Sequence, residues 1–145
     1  MASCVFFGHS RLNVKPFSVA VEREVVRLIE QCSVTQFYNG FRGDFDRFCA
    51  ALVWRLKAVY PDIKNTLALS YIPDKHFVLP SCFDDSVYLL ERKVPPRFAI
   101  IETNKRMVEV SDFIICAVNA HFGGAYAACE YAQALKKPVV NVLAD

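Results

Sequence analysis

The sequence predicts an α/β fold, a Rossmann-like three-layer sandwich with a mainly parallel sheet of about five strands. Three observations carry this. Short apolar runs alternate with longer segments of helical period, which is the pattern of βαβ units. The apolar runs are continuous rather than alternating, as in strands covered on both faces. All five glycines, Gly8, Gly40, Gly43, Gly123 and Gly124, stand where a predicted strand hands over to a helix.

The strands are expected at 4–7, 34–38, 66–71, 112–118 and 138–143. Between them, 44–59 places Phe45, Phe48, Cys49, Leu52, Val53, Leu56 and Val59 at spacings of three and four. That is an amphipathic helix, with Asp44 as its expected cap. A second helix spans 18–31 with Val21, Val25, Leu28 and Ile29 inward, and a third spans 97–109. The last, 125–136, is rich in alanine, so it can lie close to the sheet; Lys136 and Lys137 suit its C-terminus and Pro138 stops it. The stretch 72–96 contains Pro73, Pro80, Pro95 and Pro96 around an apolar patch, 86–90, a candidate extra edge strand. It reads as an excursion that covers a ligand rather than as a linker.

Length and composition set the frame. With 145 residues, 54% of them hydrophobic, the chain reads as one domain over 1–145. A formal charge of +2 offers no basic stripe, so nucleic acid is not an expected partner. Six cysteines, Cys4, Cys32, Cys49, Cys82, Cys116 and Cys129, include no CxxC pair. They read as reduced thiols of a cytoplasmic protein, and no metal site is expected. No apolar run approaches the roughly 18 residues of a membrane span, so no membrane partner is expected.

In a parallel sheet the glycine junctions share one edge, the carboxyl ends of the strands, where open α/β sheets bind ligands. Glycine lets backbone approach a ligand, and a following helix N-terminus offers unpaired N–H groups to an anion. The first loop, Gly8-His9-Ser10-Arg11, supplies a guanidinium for a phosphate. The second, Asn39 to Asp46 with Gly40 and Gly43, matches neither GxGxxG nor GxxxxGK[ST], which argues against ordinary dehydrogenases and ATPases. Its Asn39 suits a ribose hydroxyl or a base edge. The third runs from Asn119 to Gly123, Gly124, Ala125 and Tyr126, a phosphate cradle with Glu130 about two turns into its helix.

The succession FFGHSR, FYNGFRGDFD, RFAIIETNKRMVEVSDFIICAV and GGAYAACEYA resembles the small YpsA/YoqJ-like proteins of the SLOG superfamily. That superfamily also contains the DprA proteins and the Lonely Guy phosphoribohydrolases. The resemblance implies a Rossmann-like fold that binds nucleotides or nucleotide-derived ligands. The phosphoribohydrolase pattern PGGxGTxxE is matched here by Gly123, Gly124 and Glu130, which makes Glu130 the candidate catalytic residue. Phe122, Tyr126 and Ala127 replace its proline, second-last glycine and threonine; Met107 matches a motif methionine, while Thr103 stands where an arginine is expected.

The leading expectation is therefore binding or sensing of a nucleotide-type small molecule, with no cofactor required and a homo-oligomer permitted. Two alternatives stand beside it: hydrolysis of nucleoside 5′-monophosphates at the glycosidic bond, and a DprA-like module for single-stranded DNA or a protein partner. Losing a positioned charged group typically costs two or more orders of magnitude in rate, so the arginine's absence favours binding.

Overall fold

A computed structural model describes residues 2–143. The elements follow in the order β1 (Ala2–Gly8), α1 (Ser18–Cys32), β2 (Val34–Asn39), α2 (Asp44–Leu56), β3 (Lys64–Leu69), β4 (Asp85–Tyr88), α3 (Pro96–Val110), β5 (Phe113–Ala117), α4 (Gly124–Ala134) and β6 (Val139–Asn141), with a short 3-10 turn at Lys15–Phe17 before α1. The six strands form one sheet in the order β4-β3-β2-β1-β5-β6, and every adjacent pair is parallel. This is a Rossmann-like three-layer sandwich.

The layers follow from the period-2 alternation of β1, whose residues are buried from Ser3 to Phe7. Cys4 and Phe6 pack with Val21, Val25 and Leu28 of α1 and with Phe45, Cys49 and Val53 of α2. Val5 and Phe7 face the other way, onto Met107 and Val108 of α3 and Ala128 and Ala132 of α4. A strand with a helix layer on each face buries every side chain, which is why it is apolar throughout. The small side chains of α4 let it seat against β1 and β5, with Ala132 fully buried.

The candidate extra edge strand is present: the patch around Ser86 pairs Asp85–Tyr88 in parallel with Thr66–Leu69 and brings the sheet to six strands. Two details differ from the sequence reading. Gly43, not Asp44, is the N-cap of α2, and the Asp44 carboxylate accepts the Leu12 N–H at 2.9 Å, tying the second loop to the first. Lys137 serves α3 rather than its own helix, its Nζ donating to the carbonyls of Val108, Glu109 and Ser111. No described helix is long and apolar enough to cross a membrane.

The chain runs from β1 outward through β2 and β3 to β4, and then returns to the other side of β1 with β5. That reversal opens a crevice at the carboxyl ends of β1 and β5, the place where ligands bind in open α/β sheets.

Candidate functional site

The crevice is a cavity of about 570 Å³. Of the residues singled out in the sequence, Gly8, His9, Ser10, Arg11, Gly40, Asn119, Gly123, Gly124 and Ala125 line it together. Three loops are joined there by hydrogen bonds from backbone amides. His9 Nε2 accepts the Asn119 N–H at 3.1 Å, linking the first loop to the third. Ser10 O accepts the Asp44 N–H at 2.9 Å, linking the first to the second.

The third loop forms one wall. Gly123 takes φ 96 and ψ 170, a conformation that side chains resist, and a Cβ built there meets nothing within 4 Å. The backbone thus faces open space. Intrahelical bonding of α4 begins at Ala127 N, which donates to Gly123 O at 3.0 Å, so the preceding amides are free for an anion. Arg11, at the mouth, is exposed and forms no ion pair among the described residues.

The second loop supplies the opposite end, and here the strongest groups are two that sequence reasoning passed over, Arg42 and Asp46. Phe41 adopts φ 57, unusual for a bulky side chain. Its N–H bonds Asn39 Oδ1 at 2.6 Å, and its ring stands edge-on to Phe83 with centroids 5.2 Å apart. This kinked turn sends Arg42 inward, where its guanidinium donates to Asn104 Oδ1 at 3.1 Å and to Ser70 Oγ. Both acceptors are neutral. Burial pulls the guanidinium pKa below its ordinary value, against the pull of Asp46.

Asp46 is 8% exposed. Its Oδ2 accepts the Arg42 N–H at 3.0 Å, while Oδ1 is buried with no hydrogen-bond partner. Burial pushes the carboxyl up to about 6, opposed by the Arg42 N–H and by the charges of Arg42 and Arg47. A strained turn, a partly desolvated cation and a buried carboxyl beside one cavity are features that recur at functional sites.

The remaining expected site residues lie elsewhere. Asn39 is fully buried below the cavity, its Nδ2 donating to Asp46 O at 2.8 Å, so its amide builds the loop. Gly43 lies in the seam behind the wall, where a Cβ would come within 2.4 Å of Ser10 Cα. Tyr126 and Glu130 line a separate cavity of about 230 Å³ with His121 and Asn141. The Tyr126 hydroxyl faces the Glu130 carboxylate, which raises its pKa, and its ring meets His121 edge-on. The reason is helical phase: Gly124 and Ala125 open α4 toward the large cavity, whereas positions 126 and 130 share the opposite stripe. Thr103 is fully buried with its hydroxyl on Ala99 O at 2.8 Å; its neighbour Asn104 is the one that reaches the cavity.

One signal for Asp46 was in the sequence. It shares a buried stripe with Ala50 and Val53, at offsets of four and seven, and a carboxylate on such a stripe needs explaining. Asn104 and Ile100 carry no comparable signal, because only the packing of α3 brings them to the rim.

No family model and no curated protein sequence matches the chain significantly. Solved structures do. DNA processing protein A (DprA) from Streptococcus pneumoniae superposes with a TM-score of 0.65 at 14% identity, over 96% of this chain and 49% of that one. A structural-genomics target, TM1055, gives 0.57 at 18% identity, over 96% of this chain and 72% of that one. DprA from Helicobacter pylori, described for its single-stranded DNA binding mode, gives 0.62 at 15% identity, over 95% of this chain and 63% of that one. The chain thus shares the fold of these proteins, and it spans about half to two thirds of each DprA protein. These neighbours give no support to the expectation that nucleic acid is not a partner.

Proposed function

We propose that this chain binds a nucleotide or nucleotide-derived anion in the large cavity at the carboxyl ends of β1 and β5. The observation that carries the reading is the joining of two features in one space: the first-turn α4 amides behind Gly123 with Arg11, which forms no ion pair among the described residues, and a polar end formed by the partly buried Arg42 and the buried Asp46. Phosphate fits the first and a sugar fits the second. Binding is favoured over glycosidic hydrolysis, because Glu130, the residue expected to act at that bond, belongs to the smaller cavity. The proposed setting is a cytoplasmic, YpsA-like protein that needs no separate cofactor.

The test is a thermal-shift screen against AMP, ADP-ribose, NAD and cyclic nucleotides. A ligand at a hundred times its dissociation constant raises stability by roughly 2.7 kcal/mol, a readily measured shift. No shift with any of them counts against the reading.

A second reading, single-stranded DNA binding, is favoured by the DprA likeness. It predicts retention of an oligonucleotide that weakens steeply with salt, since backbone phosphate contacts release counterions. Oligonucleotide binding without any response to mononucleotides selects this reading.

A further inference from the structure

The mouth of the large cavity carries apolar surface that the fold itself does not use. Phe122, in the loop before α4, is 76% exposed, and Ile100, on α3, is 41% exposed; both line this cavity. Among the described residues Phe122 has no aromatic partner and joins none of the hydrophobic clusters. Its neighbour His121 lines the small cavity instead, where its ring meets Tyr126. A single exposed apolar side chain is ordinary, but two on the lip of one polar cavity form a surface that a ligand can cover.

Their position follows from helix direction. In a parallel α/β sandwich each helix begins at the carboxyl edge of the sheet, so α3 runs from the rim of the cavity inward. Ile100, Asn104 and Met107, at spacings of four and three, form one stripe along it, with Met107 buried and Ile100 toward the mouth. Asn104 stands between the two polar features of the cavity. Its Nδ2 is 3.7 Å from where a Cβ on Gly124 would be, and its Oδ1 accepts from Arg42 at 3.1 Å. A phosphate at the first-turn amides of α4 and a sugar beside Arg42 would therefore be neighbours across Asn104. That leaves the third part of a nucleotide, its base, at the mouth.

A bare anion or a sugar phosphate in this cavity leaves Phe122 in water. A nucleobase carried by the same phosphate brings a flat π-face that an unpartnered ring can stack on, and it covers the lip as it does so. We propose that Phe122 is the platform on which the base of the bound nucleotide stacks, with Ile100 bordering it on the rim. The inference rests on the reading that the cavity holds a nucleotide-type anion, and it makes Phe122 the residue that selects nucleotides over base-free sugar phosphates.

Isothermal calorimetry on the whole chain with AMP and with ribose 5-phosphate tests it. The unaltered protein binds AMP about tenfold or more tighter than ribose 5-phosphate, the gap expected of one stacked base. Phe122→Ala closes most of that gap by weakening AMP while ribose 5-phosphate binds as before. Phe122→Trp restores it and Phe122→Leu does not, because leucine offers apolar area without a ring face. Equal binding of AMP and ribose 5-phosphate to the unaltered protein overturns the proposal, as does a gap that persists in Phe122→Ala or is fully kept by Phe122→Leu. In each of those outcomes the anion still binds, so the reading of the cavity survives; if neither AMP nor ribose 5-phosphate binds, the two fall together. The first comparison needs no variant, and ribose 5-phosphate binding reports that each variant is folded.

Discussion

The seam between the first two loops and the turn between β5 and α4 both place glycines at the carboxyl edge of the sheet, but they use them in opposite ways. In the seam, Gly43 is pressed against the Ser10 backbone and Gly8 against the Phe45 side chain, each with a would-be Cβ 2.4 Å from its neighbour. These glycines are spent on bringing two loops into contact. Gly123 has nothing within 4 Å and a backbone angle that only glycine tolerates well. Its freedom is directed at empty space, as expected of a surface reserved for a ligand. The same residue type at the same edge therefore serves packing in one region and borders open space in the other, and only the neighbouring atoms distinguish them.

The contrast is broken or sharpened by four variants. Gly43→Ala carries the largest expected effect. Its methyl group would meet backbone atoms of Ser10, which cannot rotate away, so a loss of about 3 kcal/mol or more in urea denaturation is expected. A loss below about 1 kcal/mol would mean that the seam is looser than its geometry.

Asp46→Asn is expected to gain stability relative to the unaltered protein as pH rises. The folded carboxyl sits at about 6 against an ordinary 3.8, so the native state holds its proton more tightly than the unfolded chain. Its contribution is fully present below about pH 4 and is lost as pH rises through 6. At about 1.4 kcal/mol per pH unit the penalty near pH 7 is on the order of 3 kcal/mol. The variant removes this pH-dependent penalty, so its stability relative to the unaltered protein should rise from pH 4 to pH 7 and then level off. A difference that is constant across that range would show an ordinary carboxylate at this position.

Gly123→Ala should cost about 1–2 kcal/mol, all of it from the backbone angle, since no atom stands in the way. Arg11→Ala should leave stability within about 0.5 kcal/mol while weakening AMP about tenfold, read by calorimetry at low salt. If Arg11→Ala lowers stability by more than about 2 kcal/mol and leaves the AMP affinity of the folded protein intact, binding and packing have been assigned to the wrong regions.

Much of the site was legible because strand-to-helix junctions of a parallel sheet fall on one edge whatever the details. Gly8 to Arg11 and Gly123 to Ala125 needed no side-chain geometry to be brought together. Glu130 was misplaced because a spacing in sequence says how far along a helix a residue lies, not which neighbour its stripe faces. Asn39 was read as a binding group because a polar side chain at a strand end looks available until its amide is seen to hold the turn beneath Arg42. Asn104 belongs to a helix whose rotation is set by Met107 and Val108 packing on the sheet.

By itself the sequence determined the layered architecture, the parallel sheet and the edge that carries the crevice. These follow from hydrophobic periodicity and from where glycine is spent, and both are local properties of the chain. Only the tertiary structure decided that Arg42 and Asp46 share the buried end unpaired, and that Glu130 serves another cavity. Those facts depend on which side chains go without a partner once all elements are packed, and no stretch of sequence contains its own neighbours.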